Sequence, residues 1–150
     1  MIIQFVCRGN TFRSRLAEAY FNSLDIVGWK AISSGVEATK NLNGVICWYT
    51  KEILEENNFY SSDKNHWTQI SKEKLDSSDF IVFIDKSCFD DCLTYYGDTF
   101  LSKPYKIWSI KDMPNLLDEE KIKKEKVLVL NTANEIFETI KNDVKNLVLP

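Results

Sequence analysis

Met1-Ile-Ile-Gln-Phe-Val-Cys7-Arg8-Gly9-Asn10-Thr11-Phe12-Arg13-Ser14-Arg15 is an apolar run that ends on a cysteine, crosses a short polar loop and closes on an arginine and a serine. Ile2 to Val6 is β-branched and aromatic, so it reads as a buried strand. From Ser14 onward, Leu16, Ala17, Ala19, Tyr20 and Leu24 recur at helical spacing, so a helix starts there. Between them, Gly9 and Asn10 both tolerate positive φ, which turns successive backbone N–H groups inward. A nest of that kind beside a helix N-terminus is an anion site. Arg13 adds a guanidinium fork suited to phosphate or arsenate oxygens. The same field favours the thiolate of Cys7. Ser14 can donate its hydroxyl to that thiolate and can also cap the helix. A thiolate touching a bound oxyanion is a nucleophile in position to attack it. A buried cysteine is often only a small apolar residue, but the strand before it and the Gly-Asn, Arg-Ser and helix after it favour the anion site.

At 150 residues the chain is most simply one domain, residues 1–150. A net charge of −3 supplies no global basic field for nucleic acid or an acidic membrane. Arg8, Arg13 and Arg15 stand out against it as a local basic cluster expected to attract anions. No apolar run approaches the ~20 residues of a membrane span, and the N-terminus lacks a leader pattern. The expected location is cytoplasmic. Four cysteines, unevenly spread, do not make a disulfide framework. His66, the single histidine, lies in a polar stretch and reads as a surface or structural residue. No Cys/His spacing suits zinc, so neither metal nor cofactor is expected.

Further strands are expected at Trp29–Ser34, Phe80–Ile84 and Tyr105–Trp108, and helices at Val45–Asn57, from Ser71, at Cys88–Tyr96 and at Asn131–Leu147. Asn43-Gly44 reads as a turn, and Asp118 to Lys126 as a solvated charge run. Alternating strands and helices imply an α/β fold, a four-stranded parallel sheet with helices on both faces. Ligands of such sheets bind beyond the carboxyl ends of the strands, which is where Cys7 falls.

Cleaving a phosphate ester also requires a proton for the leaving oxygen. No histidine is suitably placed, which leaves carboxylic acids after strand ends: Asp85 after the third strand and Asp112 after the fourth. Pro114 would stiffen the loop around Asp112; an aspartate there is equally a common turn residue.

The segment Val6-Cys7-Arg-Gly-Asn-Thr-Phe-Arg13-Ser14-Arg-Leu-Ala-Glu-Ala19 resembles the signature of low-molecular-weight protein tyrosine phosphatases, shared with thioredoxin-coupled arsenate reductases. Gly28 to Glu37, Ser78 to Asp85 and Trp108 to Pro114 are similar to later parts of that family. The resemblance implies a phosphocysteine on Cys7, with Arg13 holding the transferring oxygens and Asp112 as general acid. It implies phosphate binding by Arg8, Gly9, Asn10, Thr11, Phe12 and Ser14, with Asn10 bracing the loop and Ser14 steadying the thiolate. The chain departs from the family at Phe12, where a second cysteine is common, at Arg15, where proline is usual, and at Asp112-Met-Pro114, one residue longer than Asp-Pro. Asn115 and Leu116 stand where aromatic residues usually wall the phosphotyrosine ring.

Three functions follow in order. The first is a phosphatase acting on a phosphorylated protein or a small phosphomonoester. The second is an arsenate reductase partnered by thioredoxin, with Cys88 and Cys92 as relay thiols. The third is a phosphate-binding module without turnover. Cysteines four apart share a helix face and serve equally well as ordinary packing, which is the favoured reading of Cys88 and Cys92.

Overall fold

The computed structural model describes residues 1–42, 44–114 and 125–150. Its elements run β1 (Ile2–Cys7), α1 (Arg13–Ser23), β2 (Lys30–Gly35), α2 (Trp48–Glu56), α3 (Lys72–Ser77), β3 (Phe80–Phe83), α4 (Lys86–Tyr96), β4 (Tyr105–Ile107) and α5 (Lys126–Lys145). The strands form one sheet in the order β2-β1-β3-β4, every pair parallel. This is the expected architecture.

The two-residue period of the strands sorts the core onto two faces. Ile3, Phe5 and Cys7 of β1, with Phe80 and Val82 of β3, pack against Leu16, Ala17 and Phe21 of α1 and Ala133, Phe137, Ile140 and Val144 of α5. Val6, Ile81 and Phe83 face the other way, onto Leu75 of α3 and Cys88, Phe89 and Cys92 of α4. Strands buried on both sides explain why β1 and β3 read as nearly continuous apolar runs. Gln4 is the polar exception. Its amide donates to Ser34 Oγ and accepts from Ser78 Oγ at 2.9 Å, so no polar group there is left dry. Because β1 is central and ends on Cys7, that sulfur lies at the carboxyl edge of the sheet, where the loops after β3 and β4 also arrive.

Several boundaries differ from the sequence reading. The helix expected at Val45–Asn57 begins only at Trp48. Val45 bridges His66, Ile46 N–H goes to Asn65 O and Cys47 N–H goes to Thr11 O at 3.1 Å, so these residues are extended. Helix α4 starts at Lys86 rather than Cys88, because Asp85 caps it by accepting the Cys88 N–H at 3.0 Å. Helix α5 starts at Lys126 rather than Asn131. Its first turn exposes Val127 and Leu128 and so lacks the amphipathic pattern. Ser71 does cap α3, accepting from Lys74 N–H at 3.3 Å. Residue 43 of the expected turn and residues 118–124 of the charge run lie outside the described residues, as do Asn115 and Leu116. No helix among the described residues is long and apolar enough to cross a membrane.

Phe5 is wholly buried, with its ring 6.0 Å from Phe21 and 5.6 Å from Trp108. Phe5→Ala is expected to lower unfolding free energy by about 3–5 kcal/mol in a denaturant titration. A loss below about 1 kcal/mol would contradict this core.

Candidate active site

The loop from Cys7 to Arg13 is shaped by two residues. Asn10 takes φ 54°, the one left-handed position in the loop; Gly9, expected to share it, does not. Gly35, beside Cys7 at the end of β2, supplies the other condition. A Cβ there would lie 2.6 Å from Arg8 O, 2.7 Å from Asn10 N and 2.8 Å from Gly9 C. The loop therefore folds over the missing side chain of Gly35. It brings the Asn10 N–H to 3.2 Å from Cys7 Sγ. Ser14 Oγ is 2.8 Å from the same sulfur and accepts from Asn10 Nδ2 at 2.9 Å. Ser14 lies inside α1 and does not cap it. The cap position is Phe12, which makes no side-chain cap bond, so the first-turn N–H groups gain no side-chain acceptor there.

Of the three arginines expected to draw anions to the site, only Arg13 is there. Arg8 turns to α4 and the strand-two turn, bonding Asp91 and Ser87 at 2.9 Å each and Glu37 at 3.2 Å. Arg15 is tied to the carbonyls of His66, at 2.7 Å, and Lys64. Arg8 thus offers the site its backbone and not its charge. Arg13 is buried, and its Nη1 donates to Asp85 Oδ2 at 2.6 Å and Ile110 O at 2.7 Å. Its Nη2 donates to Asp112 Oδ2 at 3.0 Å. Burial works against its charge, but Asp112, the Cys7 sulfur and Asp85 outweigh that and hold the guanidinium protonated.

These contacts separate the two candidate acids. Burial would raise the Asp85 carboxyl. Donation from Ser87, Arg13 and the Cys88 N–H overrides it and holds the group well below the usual carboxylate range. Asp85 is therefore a fixed anion that braces Arg13 and caps α4. Asp112 has its side chain 55% exposed at the mouth, held through Arg13 and through the Met113 N–H at 2.8 Å.

Thr11 is pinned to the start of α2, its carbonyl accepting from Cys47 N–H and from Thr50 Oγ1 at 2.8 Å. Phe12 is buried, with its ring 5.0 Å edge-on to Tyr49, which stands 5.5 Å from exposed Trp48. Burial, then Cys47, pushes the Tyr49 phenol up, and the phenol is in electrostatic reach of Asp112 and Arg13. Tyr49 thus packs on the loop at Phe12, while Trp48 is exposed beside it with Lys126 Nζ 5.6 Å from its ring, placements their sequence left open. Cys88 and Cys92 are both buried in the α4 core. Burial, with Asp85 and Cys7, pushes the Cys88 thiol well up. Burial, with Asp91, pushes Cys92 up to about 12. Among the described residues no group of His, Cys, Asp and Glu could hold a metal ion. Sequence reasoning missed Gly35 as a condition of the loop and missed Glu18 and Ser33, which lie behind Asn10. Ser33-Ser34-Gly35 at a strand end was the available signal.

With a strand-ending cysteine, a short loop folded over Gly35 and an arginine at the start of the next helix, the chain belongs to the low molecular weight phosphotyrosine protein phosphatase family, whose model matches residues 2–148. It is similar to an arsenate reductase of Oceanobacillus iheyensis, 32% identical over 91 residues. That match spans 61% of this chain and 61% of the relative. Its fold is similar to that of a low molecular weight protein tyrosine phosphatase from T. tengcongensis, with TM-score 0.70, 22% identity and coverage of 98% and 99% of the two chains. The YwlE arginine phosphatase, solved as a cysteine-to-serine mutant with a phosphorylated active-site serine, is similar at TM-score 0.69 and 22% identity, covering 98% of this chain and 95% of that one.

Two outcomes are expected. Gly35→Ala should push the loop off the sheet and weaken binding of vanadate, a phosphate mimic, by about a hundredfold, the scale of a misplacement of about 1 Å. Unchanged vanadate binding would refute the packing argument. Asp85→Asn should cost about 1–3 kcal/mol at neutral pH, since it weakens the pairing of a buried charged donor. The Asp85 carboxyl is lowered in the fold, so its contribution is full above its unfolded value of about 3.9 and is lost as acid reaches the folded one. The deficit of the variant should therefore shrink in strong acid, as read by denaturant melts across pH.

Proposed function

We propose that the protein is a cysteine-dependent phosphatase that hydrolyses phosphomonoesters, with protein phosphotyrosine as the first candidate substrate, through a phosphocysteine on Cys7. The observation that carries this reading is the Cys7 sulfur, held under Ser14 and the Asn10 N–H, with the charge of Arg13 in reach of it and Arg13 itself bonded to Asp112. The backbone N–H groups of Arg8, Gly9, Asn10, Thr11, Phe12 and Ser14, with the Arg13 fork, hold the three phosphoryl oxygens, most strongly in the transition state. The Cys7 thiolate attacks phosphorus. As the P–S bond forms, the P–O bond to the leaving group breaks and Asp112 gives that oxygen its proton. Asp112, now a carboxylate, takes a proton from water, and the resulting hydroxide displaces the thiolate and releases inorganic phosphate. An oxyanion bound to Arg13 competes with Asp112 for the guanidinium, which frees the acid at the moment it is needed. Neither metal nor cofactor enters these steps. The Tyr49 ring, packed on Phe12 of the loop, suits a flat leaving group, and the likeness to an arginine phosphatase makes phosphoarginine the alternative phosphoprotein substrate. The cytoplasm is the proposed location.

A second reading, arsenate reduction, rests on the curated relative of that name. There Cys7 would bind arsenate, and two thiols would give up two electrons as a disulfide, later reduced by thioredoxin. Burial of Cys88 and Cys92 counts against it, since the thiolate is the species that exchanges. Contact between Asp112 and Arg13 counts against a binding module without an acid.

An aryl-phosphate assay run beside a thioredoxin-coupled arsenate assay separates the readings. Turnover of the phosphate is expected, abolished in Cys7→Ser and Arg13→Ala and slowed by ~10²–10⁴ in Asp112→Asn. Full activity in Asp112→Asn would remove it as the acid. Arsenate reduction that needs Cys88 and Cys92 would replace this function with the second.

A further inference from the structure

We propose that the cleft over the free edge of β2 is a second anion site, separate from the Cys7 loop, that binds a small hydroxylated phosphate monoester between Lys30, Lys74 and the backbone of Ser33.

β2 is an edge strand, so alternate residues turn their backbone groups outward. The N–H groups of Lys30 and Val36 point inward, to Met1 O and Cys7 O at 3.0 Å each, so the outward residues are Ala31, Ser33 and Gly35. Two of the three are engaged. Asn22 closes on Ala31, accepting its N–H at 2.8 Å and donating to its C=O at 3.0 Å. Gly35 donates to Thr68 O at 2.9 Å and accepts from the Ile70 N–H at 3.0 Å. Between them Ser33 is buried, and its backbone N–H and C=O have no partner among the described residues. Buried backbone groups that the protein does not pair are met by water or by a ligand. The gap is one residue long, which suits a small molecule and not an added strand.

The cleft around this gap measures about 300 Å³, the lower end of the ~300–1,000 Å³ of small-molecule sites. Four cations and two carboxylates line it. Glu18 is engaged by Lys64 at 3.1 Å and by Ser33 Oγ at 2.5 Å, and Asp63 accepts from Ser61. Arg15 gives its η nitrogens to the carbonyls of Lys64 and His66. Lys30 of β2 and Lys74 of α3 remain, neither in an ion pair among the described residues. Thr68 adds a hydroxyl that likewise has no partner among them. Two ammonium groups, a hydroxyl and an N–H arriving from a strand, a helix and a loop suit the oxygens of a phosphoryl group. The Ser33 C=O beside them takes a donor, which a hydroxyl on the ester supplies. No residue from 7 to 14 lines the cleft, and no cysteine does, so the site binds a phosphate ester without attacking it through a thiolate.

The test is an NMR titration of Cys7→Ser, in which the probe is not turned over, with ribose 5-phosphate and, separately, inorganic phosphate. Saturable shifts are expected in the side-chain signals of Lys30 and Lys74 and in the Ser33 amide. Ribose 5-phosphate should bind there more tightly than inorganic phosphate. Lys30→Gln combined with Lys74→Gln should weaken the cleft response about tenfold, the scale of two exposed ion pairs, and leave the response of residues 8–14 unchanged. Shifts confined to residues 8–14, or cleft shifts indifferent to the double substitution, would overturn the inference. Inorganic phosphate binding as tightly as the ester would overturn the ester as ligand in favour of free phosphate. Should Cys7→Ser not fold, inorganic phosphate titrated into the unmutated protein reads the same signals. None of these readings uses the chemistry of Cys7, so loss of the phosphatase reading would leave this one standing, and the reverse.

Discussion

The rest of the structure depends on one close approach, the loop after Cys7 lying against the bare α-carbon of Gly35. That contact brings the backbone of residues 8–10 down onto the end of the sheet. The left-handed turn at Asn10 then aims an N–H at the sulfur. Parallel pairing of β1 with β2 puts Gly35 beside Cys7, so the sheet itself registers the two halves of the bowl. A larger residue at the end of β2 would leave the fold its core and push the loop off the sheet. Core packing and loop geometry thus rest on different residues here: the apolar faces of β1 and β3 for the first, a hydrogen atom in place of a side chain for the second.

A buried guanidinium needs compensation, and Arg13 has it from three directions. Asp85 comes after β3, Ile110 and Asp112 after β4, so the arginine from α1 ties the carboxyl ends of three strands together. The two carboxylates do different things because their surroundings differ. Asp85 is fastened to Ser87 and the start of α4 and keeps its charge; Asp112 stands half exposed, where the proposed mechanism trades its hold on Arg13 for a substrate oxyanion. Unequal environments for paired carboxylates are how a site assigns one to brace and the other to transfer protons.

Much of this was legible in the sequence. The β1 run, the cysteine, and the loop closing on Arg13 and Ser14 carried both the fold and the floor of the site, since strand period, turn chemistry and helix period are all local signals. Asp112 and Asp85 were found as strand-end carboxylates and the family resemblance already favoured Asp112, but the physical difference between them lies in who donates to each, which is a property of the folded chain. The basic cluster of Arg8, Arg13 and Arg15 misled for the same reason: adjacency in sequence does not say where a guanidinium goes once Glu37, Asp91 and two carbonyls compete for it. The segment before α2 read as helical because its apolar residues fit that period, while its backbone partners lie at Thr11, Asn65 and His66. Gly35 and the Glu18–Ser33 hydrogen bond escaped the reading, despite the Ser-Ser-Gly run at a strand end, because their contacts are with residues far away in the chain.

All of it converges on whether the Cys7 sulfur takes up a phosphoryl group. Rapid-quench mass spectrometry of the protein mixed with an aryl phosphate measures that directly. The account predicts one phosphoryl group on the peptide containing Cys7, forming no more slowly than product accumulates. Steady turnover with Cys7 unmodified at every time point would contradict it.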